Sequence, residues 1–137
     1  MINGVYMEKL DARGFTLIEL LVAIVIIAVL ASIAYPSYDV FIRKTRMEQA
    51  KASIMATARD MERFYTKNRT FKGAPAPAST DFFDIAFAAS SPGADNYEII
   101  AKPNNKNPNE SKGLYYSSTA GSFSRCDKVG MDNCEQF

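Results

Sequence analysis

One carboxylate, Glu19, lies near the start of an apolar run that has no other charged residue between Arg13 and Asp39. An ionised side chain costs about 2.5–3.5 kcal/mol at the centre of a membrane helix and less near its end. Because Glu19 is one turn inside the run, two interpretations stay open. Its carboxylate snorkels to the lipid headgroups, or it pairs with a positive group of another chain. A cut after Gly14 would create such a group, the amine of Phe15 on a neighbouring copy.

Few other residues have types suited to catalysis or metal binding. The sequence has no histidine, which removes the commonest general base and the commonest zinc ligand. Its two cysteines, Cys126 and Cys134, form neither a CxxC pair nor a four-ligand set, so we expect no metal and no cofactor. No nucleophile motif or phosphate-binding glycine loop is present either, so no catalytic residue is assigned and we do not expect an enzyme.

The apolar run from Phe15 to Tyr35 is about as long as the roughly 20 residues that cross a bilayer core as a helix. A cleaved signal peptide is the alternative, but its apolar part is usually only about 7–15 residues long. Basic residues flank the run on both sides, so the charge rule leaves its orientation open. The two cysteines, close together near the C-terminus, predict a disulfide and an oxidising compartment for that end. The N-terminus is then cytoplasmic.

A family resemblance rests on the sequence Gly14-Phe15-Thr16-Leu17-Ile18-Glu19, the apolar run after it, and Tyr35-Pro36-Ser37-Tyr38. This pattern resembles the class III signal of the type IV pilin family. The resemblance implies that a membrane-embedded prepilin peptidase cuts between Gly14 and Phe15 and methylates the new amine of Phe15. It also implies that Glu19 pairs with this amine on an adjacent subunit during assembly. The leader is then residues 1–14, or a shorter piece if Met7 is the true start.

Pro36 has no amide hydrogen, and its ring clashes with the carbonyl of Ser32, so we predict a kink or a loosened turn there. A kink without further consequence is one interpretation, because membrane helices tolerate proline. In related pilins the helix before this proline melts inside the filament, and the resemblance implies the same for this chain.

After Pro36 the apolar residues recur at spacings of three and four, which predicts an amphipathic helix whose apolar stripe packs on the rest of the domain. The stripe comprises Met47, Ala50, Ile54, Ala58, Met61 and Tyr65. The predicted solvent face carries Arg46, Lys51, Arg59 and Glu62. We expect the helix to end near Lys67-Asn68, with asparagine in the left-handed cap position.

The residue pattern of the C-terminal half predicts short strands joined by turns. Segment 81–90 is a short strand or a helical turn, and strands follow at 97–100, at 114–118 and around Phe123. This arrangement resembles the small antiparallel sheet of pilins, so the predicted fold is α+β, with a long N-terminal helix packed against that sheet. The predicted parts are the leader (1–14), the transmembrane or filament-core helix (15–36), the amphipathic helix (37–68), the αβ-loop (69–96), the sheet (97–125) and the cysteine-bounded loop (126–137).

The loop between Cys126 and Cys134 corresponds, by resemblance, to the exposed and variable D-region of pilins. Two interpretations remain open for it. In the first, the disulfide ties the C-terminus to the last strand. In the second, the loop presents a binding epitope. The two interpretations are compatible with each other. If bridged, a ring this short contributes roughly 2.5 kcal/mol through loop entropy.

Three classes of function follow from these features. The chain is nearly neutral, with 16 basic and 15 acidic residues, so its bulk charge does not indicate nucleic-acid binding. The resemblance is to the small accessory pilins of the type IVa system, of the PilV, PilX and ComP kind, and favours a minor pilin that modulates adhesion or aggregation. The alternatives are a DNA-uptake pilin and a type II secretion pseudopilin. DNA capture needs a cluster of cations, for which the candidates are Lys106, Lys112, Arg125 and Lys128.

The resemblance also implies partners and a location. The partners are other pilin subunits in a helical filament, the prepilin peptidase and the pilus assembly machinery of the inner membrane, with a host-cell surface or DNA as candidate ligands. Before assembly the chain lies in a bacterial inner membrane with its C-terminal domain in the periplasm. Afterwards it lies in an extracellular pilus.

Overall fold

The structure is a computed structural model that describes residue 4 and residues 13–136. The expected leader, residues 1–14, and the alternative start at Met7 therefore lie mostly outside the described residues. Two compact units divide the chain between Tyr38 and Asp39. We call residues 13–38 the anchor segment and residues 39–136 the globular unit.

A single helix, α1, runs over Leu17–Asn68 and contributes to both units. Pro36 lies inside this helix, and helical structure continues on both sides of it. Side-chain hydroxyls bond to backbone carbonyls nearby: Ser32 Oγ donates to the carbonyl of Val29 at 2.7 Å, and Ser37 Oγ donates to that of Ile33 at 3.3 Å. Loosening of the helix at Pro36 inside a filament stays a prediction.

The helix ends at Asn68, as the sequence predicts, but the capping residue is different. Arg69, and not Asn68, adopts the left-handed conformation, with φ of 56°, and its amide donates to the carbonyl of Tyr65 at 2.8 Å. The Asn68 amide group bonds instead to the carbonyl of Phe64 at 3.1 Å. Asn68 thereby satisfies one of the last helical carbonyls with its side chain, and the turn falls one residue later.

The globular unit contains a five-stranded antiparallel sheet whose strands are hydrogen-bonded in chain order. Its strands are β1 (Phe83–Phe87), β2 (Glu98–Pro103), β3 (Lys112–Ser117), β4 (Ser122–Asp127) and β5 (Glu135–Gln136). The loop 104–111 and the loop 128–134 therefore lie at one end of the sheet. The predicted α+β pilin fold, a long helix with a small antiparallel sheet, is confirmed.

The sheet is wider than the predicted range 97–125. β1 lies inside the segment assigned to the αβ-loop, and β5 lies inside the cysteine-bounded loop. In β1 the side chains of Phe83 and Ile85 point to the core, because alternate residues of a strand share one face. β5 has only two residues, too few to show any pattern in the sequence.

The core of the globular unit lies between α1 and one face of the sheet. The predicted helical stripe provides its helix side, since Met47, Ala50, Ile54 and Met61 are all buried. The sheet side consists of Phe83, Ile85, Tyr97, Ile99, Ala101 and Leu114. Alternation along the strands and three- or four-residue spacing along the helix thus bring the two apolar sets together.

The outer edge of β1 is covered by the residues that precede the strand. Ser79 Oγ accepts the amide hydrogen of Ile85 at 2.9 Å, and Thr80 Oγ1 accepts that of Phe83 at 3.1 Å. The amide of Thr80 in turn donates to the carbonyl of Phe83 at 3.0 Å. Hydroxyl side chains therefore occupy hydrogen-bonding groups that an edge strand would otherwise present to another strand.

Candidate functional site

The anchor segment begins with a reciprocal capping arrangement between Thr16 and Glu19. The Thr16 amide donates to Glu19 Oε2 at 3.1 Å, and the Glu19 amide donates to Thr16 Oγ1 at 3.2 Å. This is a capping box, which satisfies two amides that the first helical turn leaves without partners. Sequence analysis missed it, although the Thr-x-x-Glu spacing is its signal. The Glu19 carboxylate therefore accepts hydrogen bonds from the start of its own helix.

The apolar side chains of the anchor segment are exposed. Phe15 is 91 % exposed, and every residue from 13 to 38 that the structure describes is exposed too. Within the described residues, α1 is the one helix long and apolar enough to cross a membrane. The positions of Gly14, Phe15 and Glu19 at its start match those expected for processing and assembly, and their roles stay predictions.

The C-terminal loop is closed by a disulfide between Cys126 and Cys134, as predicted. Inside the ring, the Asp127 amide donates to the carbonyl of Asp132 at 2.9 Å, and the Asn133 amide group donates to Asp127 Oδ2 at 2.9 Å. Met131 packs on the outer face of the sheet at Gly113. A Cβ atom at Gly113 would lie 2.7 Å from the carbonyl oxygen of Ala101 and 3.0 Å from the Met131 sulfur. The loop is therefore held by its own contacts as well as by the bridge.

Two of the four candidate ligand-binding cations are paired with carboxylates. Lys112 Nζ donates a short hydrogen bond to Asp127, its cross-strand neighbour, and Arg125 lies 3.7 Å from Glu135. The hydrogen bond raises the pKa of the Lys112 ammonium and lowers the pKa of the Asp127 carboxyl, which Asn133 lowers further. These pairs reduce the positive charge that Lys112 and Arg125 offer to a ligand.

The other two candidates, Lys106 and Lys128, lie in the loops at one end of the sheet. Neither forms an ion pair with any residue in the part of the chain that the structure describes. The two loops are joined, because the Lys128 amide donates to the carbonyl of Ser111 at 2.9 Å. The structure therefore brings Lys106 and Lys128 to the same end of the sheet as Lys112, which differs from them in being paired with Asp127.

Arg46 reaches this end of the sheet from the helix, which sequence analysis did not predict. Its guanidinium donates to Asn107 Oδ1 at 3.1 Å and stacks 4.0 Å from the centre of the Phe82 ring. Asn107 is fully buried. The assignment of Arg46 and Lys51 to the solvent face was wrong, because both are half-buried and cover aromatic rings, Lys51 that of Phe123. Long basic side chains often cover apolar surface in this way.

A groove of about 390 Å³ lies between the start of the helix in the globular unit and the ends of β3 and β4. Its charged lining is mixed and comprises Arg43, Lys44, Glu48, Glu110, Lys112 and Arg125. Arg43 is already bonded to Asp39 at 3.2 Å. No group of three potential metal ligands occurs within the described residues. Four of the charged lining residues are basic and two are acidic, but three of the four cations have a carboxylate partner, so the positive charge of the groove is partly offset.

Two family models match the chain. The model described as "Type IV minor pilin ComP, DNA uptake sequence receptor" matches residues 36–127, and the "Prokaryotic N-terminal methylation motif" matches residues 9–35. The first covers most of the globular unit and the second covers most of the anchor segment.

Curated relatives are fimbrial proteins. A "Fimbrial protein" of Pseudomonas aeruginosa is 32 % identical over 78 residues, which are 57 % of this chain and 50 % of that protein. The "Type IV major pilin protein PilA" of Myxococcus xanthus is 32 % identical over 89 residues, which are 65 % of this chain and 37 % of PilA. The chain thus spans half or less of the length of these relatives.

A solved structure supports the fold. The non-core minor pilin PilV of Neisseria meningitidis superposes with a TM-score of 0.58 and 21 % identity, over 67 % of this chain and 98 % of that chain. At this identity the likeness concerns the fold alone. The match to the minor pilin model over residues 36–127, with the methylation motif before it, assigns the family. The chain belongs to the ComP family of type IV minor pilins, which are filament subunits.

Proposed function

We propose that this minor pilin binds DNA at the surface of the filament. The observation that carries the proposal is the match of residues 36–127 to a family whose description names a DNA uptake sequence receptor. This observation reverses the order of the functions inferred from the sequence, in which adhesion came first. The match extends over the loop 104–111 and ends at Asp127, the residue before Lys128.

Lys106 and Lys128 are the side chains that we assign to DNA contact. They lie on joined loops at one end of the sheet, and within the described residues neither has a carboxylate partner. Cations that are not neutralised internally release counterions when they contact phosphates, which supplies most of the sequence-independent affinity for DNA. Lys112 contributes less, because it is hydrogen-bonded to Asp127, whereas the looser exposed pair of Arg125 with Glu135 reduces the contribution of Arg125 only slightly.

A binding experiment tests this assignment. The full-length protein in a non-ionic detergent is titrated against a short fluorescent DNA duplex at several salt concentrations, with fluorescence anisotropy as the readout. We expect the double variant Lys106→Gln/Lys128→Gln to weaken binding and to reduce the slope of log K against log salt by about 2. Lys112→Gln, which removes an internally paired cation, is the control and has a smaller effect. Absence of binding by the wild-type protein at low salt would contradict the proposal.

Adhesion or aggregation is the competing function, and one observation favours it. Two of the four candidate cations are paired with carboxylates, which makes the cysteine-bounded loop and its surroundings less basic than a strong DNA-binding surface. Deletion of the gene in the native cell separates the two functions. DNA binding predicts a loss of transformation, whereas adhesion predicts a loss of aggregation or attachment with transformation unchanged. Membership in a minor pilin family argues against the pseudopilin alternative.

The processing and location of the chain follow the same proposal. A prepilin peptidase cuts between Gly14 and Phe15 and methylates Phe15, and the assembly machinery of the inner membrane inserts the subunit among other pilins. Glu19 then exchanges its capping contacts with Thr16 for the amine of an adjacent subunit. The methylation motif at residues 9–35 and the exposed apolar anchor segment support this route. Mass spectrometry of sheared filaments tests it by searching for a peptide that begins with N-methylated Phe15.

A further inference from the structure

A second basic surface lies on the last turns of α1, far from Lys106 and Lys128. Arg59, Arg63 and Lys67 follow one another at intervals of four residues and are all exposed. Such spacing places side chains on the same face of a helix, about 6 Å apart along its axis. We call these three residues the helix stripe.

The helix stripe lies on the side of α1 that faces away from the core. The buried residue nearest to the helix stripe is Met61. Arg59 lies two positions before Met61 and Arg63 two positions after it. Two positions are about half a helical turn, so both arginines lie on the side of the helix opposite Met61. The Arg63 side chain is 80 % exposed, and its contact with Asp60 is a long 3.8 Å between two exposed groups. An exposed pair of this kind is weak, so the guanidinium remains available to a ligand.

Positive charge continues beyond the helix end. From residue 59 to residue 72 the chain carries five basic residues and two acidic ones, Asp60 and Glu62. The other two basic residues, Arg69 and Lys72, follow the helix and are exposed as well. In the groove beside β3 and β4, by contrast, three of the four basic residues have a carboxylate partner. Among the described residues, the helix stripe and its extension therefore form a strongly basic exposed surface.

Stabilisation of the helix end does not explain this surface. Basic residues in the last turn interact favourably with the negative end of the helix dipole, but the effect falls off within one turn. Lys67 lies in that turn. Arg59 and Arg63 lie more than one turn earlier, so the helix dipole gives no reason for them.

We infer that the helix stripe binds the phosphate backbone of double-stranded DNA without regard to sequence. Successive phosphates on one strand rise by about 3.4 Å along the duplex axis and lie farther apart than this in space, because the strand also winds around the axis, so cations about 6 Å apart suit contact with successive phosphates. Arginine suits this contact, because its planar guanidinium binds phosphate oxygens in pairs. The inference rests on the proposed DNA function and adds to it a site that positions the duplex but does not read bases.

The helix stripe can be tested separately from the loop lysines. Arg46, which bonds to the loop that carries Lys106, precedes Arg59 by about 20 Å of helix. Substitutions this far apart have additive effects. The test variant is Arg59→Gln/Arg63→Gln, which keeps Lys67 at the helix end. The matched control, Arg43→Gln/Lys44→Gln, removes the same charge from an earlier part of α1.

The experiment uses full-length protein in a non-ionic detergent, two labelled duplexes of different sequence, and a salt series. We expect Arg59→Gln/Arg63→Gln to weaken binding to both duplexes by the same factor and to reduce the salt slope by about 2. The control should leave the slope nearly unchanged. The opposite variant, Asp60→Asn/Glu62→Gln, should strengthen binding to both duplexes. Unfolding curves of all the variants should match the wild type, because every substituted residue except the half-buried Arg43 is exposed.

Three outcomes would overturn the inference while leaving the proposed function intact. Equal losses in the test and control variants would mean that only net charge matters. A loss for one duplex only would mean that the helix stripe reads bases. Normal DNA binding with reduced recovery in sheared filaments would mean that the surface contacts an acidic face of a neighbouring subunit. Failure of the proposed function has a different signature, since the wild-type protein would then bind neither duplex.

Discussion

The anchor segment and the globular unit place the same kinds of residue in opposite surroundings. Ile26 in the anchor segment is 53 % exposed, whereas Ile54 in the globular unit is fully buried, although both lie in α1. The globular unit thus completes its core within one chain. The anchor segment leaves its apolar surface for lipid or for other chains, so its stability depends on what surrounds it.

Polar contacts differ in the same way. In the anchor segment Glu19 bonds to Thr16, three residues away, whereas in the globular unit Arg46 reaches Asn107 over 61 residues of sequence. Local contacts fix a helix end and long-range contacts fix a tertiary fold. A substitution in the anchor segment should therefore affect assembly, and one in the globular unit should affect folding.

The largest effect on filament assembly is expected from Glu19→Gln. The variant keeps the shape of the side chain but loses its charge, so it cannot form the charge-assisted bond to a neighbour's amine, worth about 1.5–3 kcal/mol. We expect cleavage after Gly14 to continue, while recovery in sheared filaments falls about tenfold or more.

Thr16→Ala provides the control for Glu19→Gln. It removes the capping hydroxyl and leaves the carboxylate in place. If Thr16→Ala reduces recovery in sheared filaments as much as Glu19→Gln does, helix capping and not intermolecular pairing explains the role of Glu19.

The two isoleucines provide a direct test of the comparison. Ile54→Ala creates a cavity in the core and should lower the free energy of unfolding by about 2–5 kcal/mol. Ile26→Ala removes an exposed side chain and should change it by less than about 0.5 kcal/mol. Denaturant unfolding of the full chain in detergent, followed by tyrosine fluorescence, measures both. A large effect of Ile26→Ala would show that the anchor segment contributes to the stability of the globular unit.

A smaller effect is expected from Cys126→Ser/Cys134→Ser. Loss of a ring this short should cost about 2.5 kcal/mol through loop entropy. Contacts inside the ring, such as that of Asn133 with Asp127, should keep part of its structure. Unfolding of the double variant beside the wild type under reducing conditions tests this, since the two should then agree. A lasting difference would mean that the serines disturb the fold in some other way.

The smallest effect concerns the exposed pair Lys112–Asp127. The pKa of Asp127 is lowered from its usual 3.8, so the stability gained from its charge is present above that value and is lost as the pH falls through the lower, folded-state pKa. The pKa of Lys112 is raised from 10.5, so its contribution is lost only as the pH rises above that value. Asp127→Asn should therefore lower Tm slightly at neutral pH, and this difference should shrink as the pH falls below the usual pKa of 3.8 and through the lower folded-state pKa. A difference in Tm that is constant with pH would contradict this.

The fold could be predicted where a repeating pattern encodes it. Three- and four-residue spacing identified Met47, Ile54 and Met61 as core residues, because a helix with one apolar stripe has one way to bury it. β5 could not be predicted, because its two residues are too few to show an alternating pattern; it pairs with β4 directly after the disulfide ring.

The candidate ligand surface could be predicted only in part. The sequence supplied the four cations but not their partners. Lys112 faces Asp127 because of the register between β3 and β4, and that register depends on the turn between them. Helical spacing assigned Arg46 to the solvent side. Spacing along a helix does not show where the end of a long side chain lies, and the guanidinium of Arg46 reaches Asn107.

The covered edge of β1 has a consequence for crowding. Subunits in a filament lie side by side at a very high local concentration. An open edge strand of one subunit could then pair with a strand of a neighbouring subunit. Ser79 and Thr80 occupy the amides of Ile85 and Phe83, so this border of the sheet offers a neighbour few groups with which to extend it. Two small hydroxyl residues thereby help to keep densely packed copies from fusing into a continuous sheet.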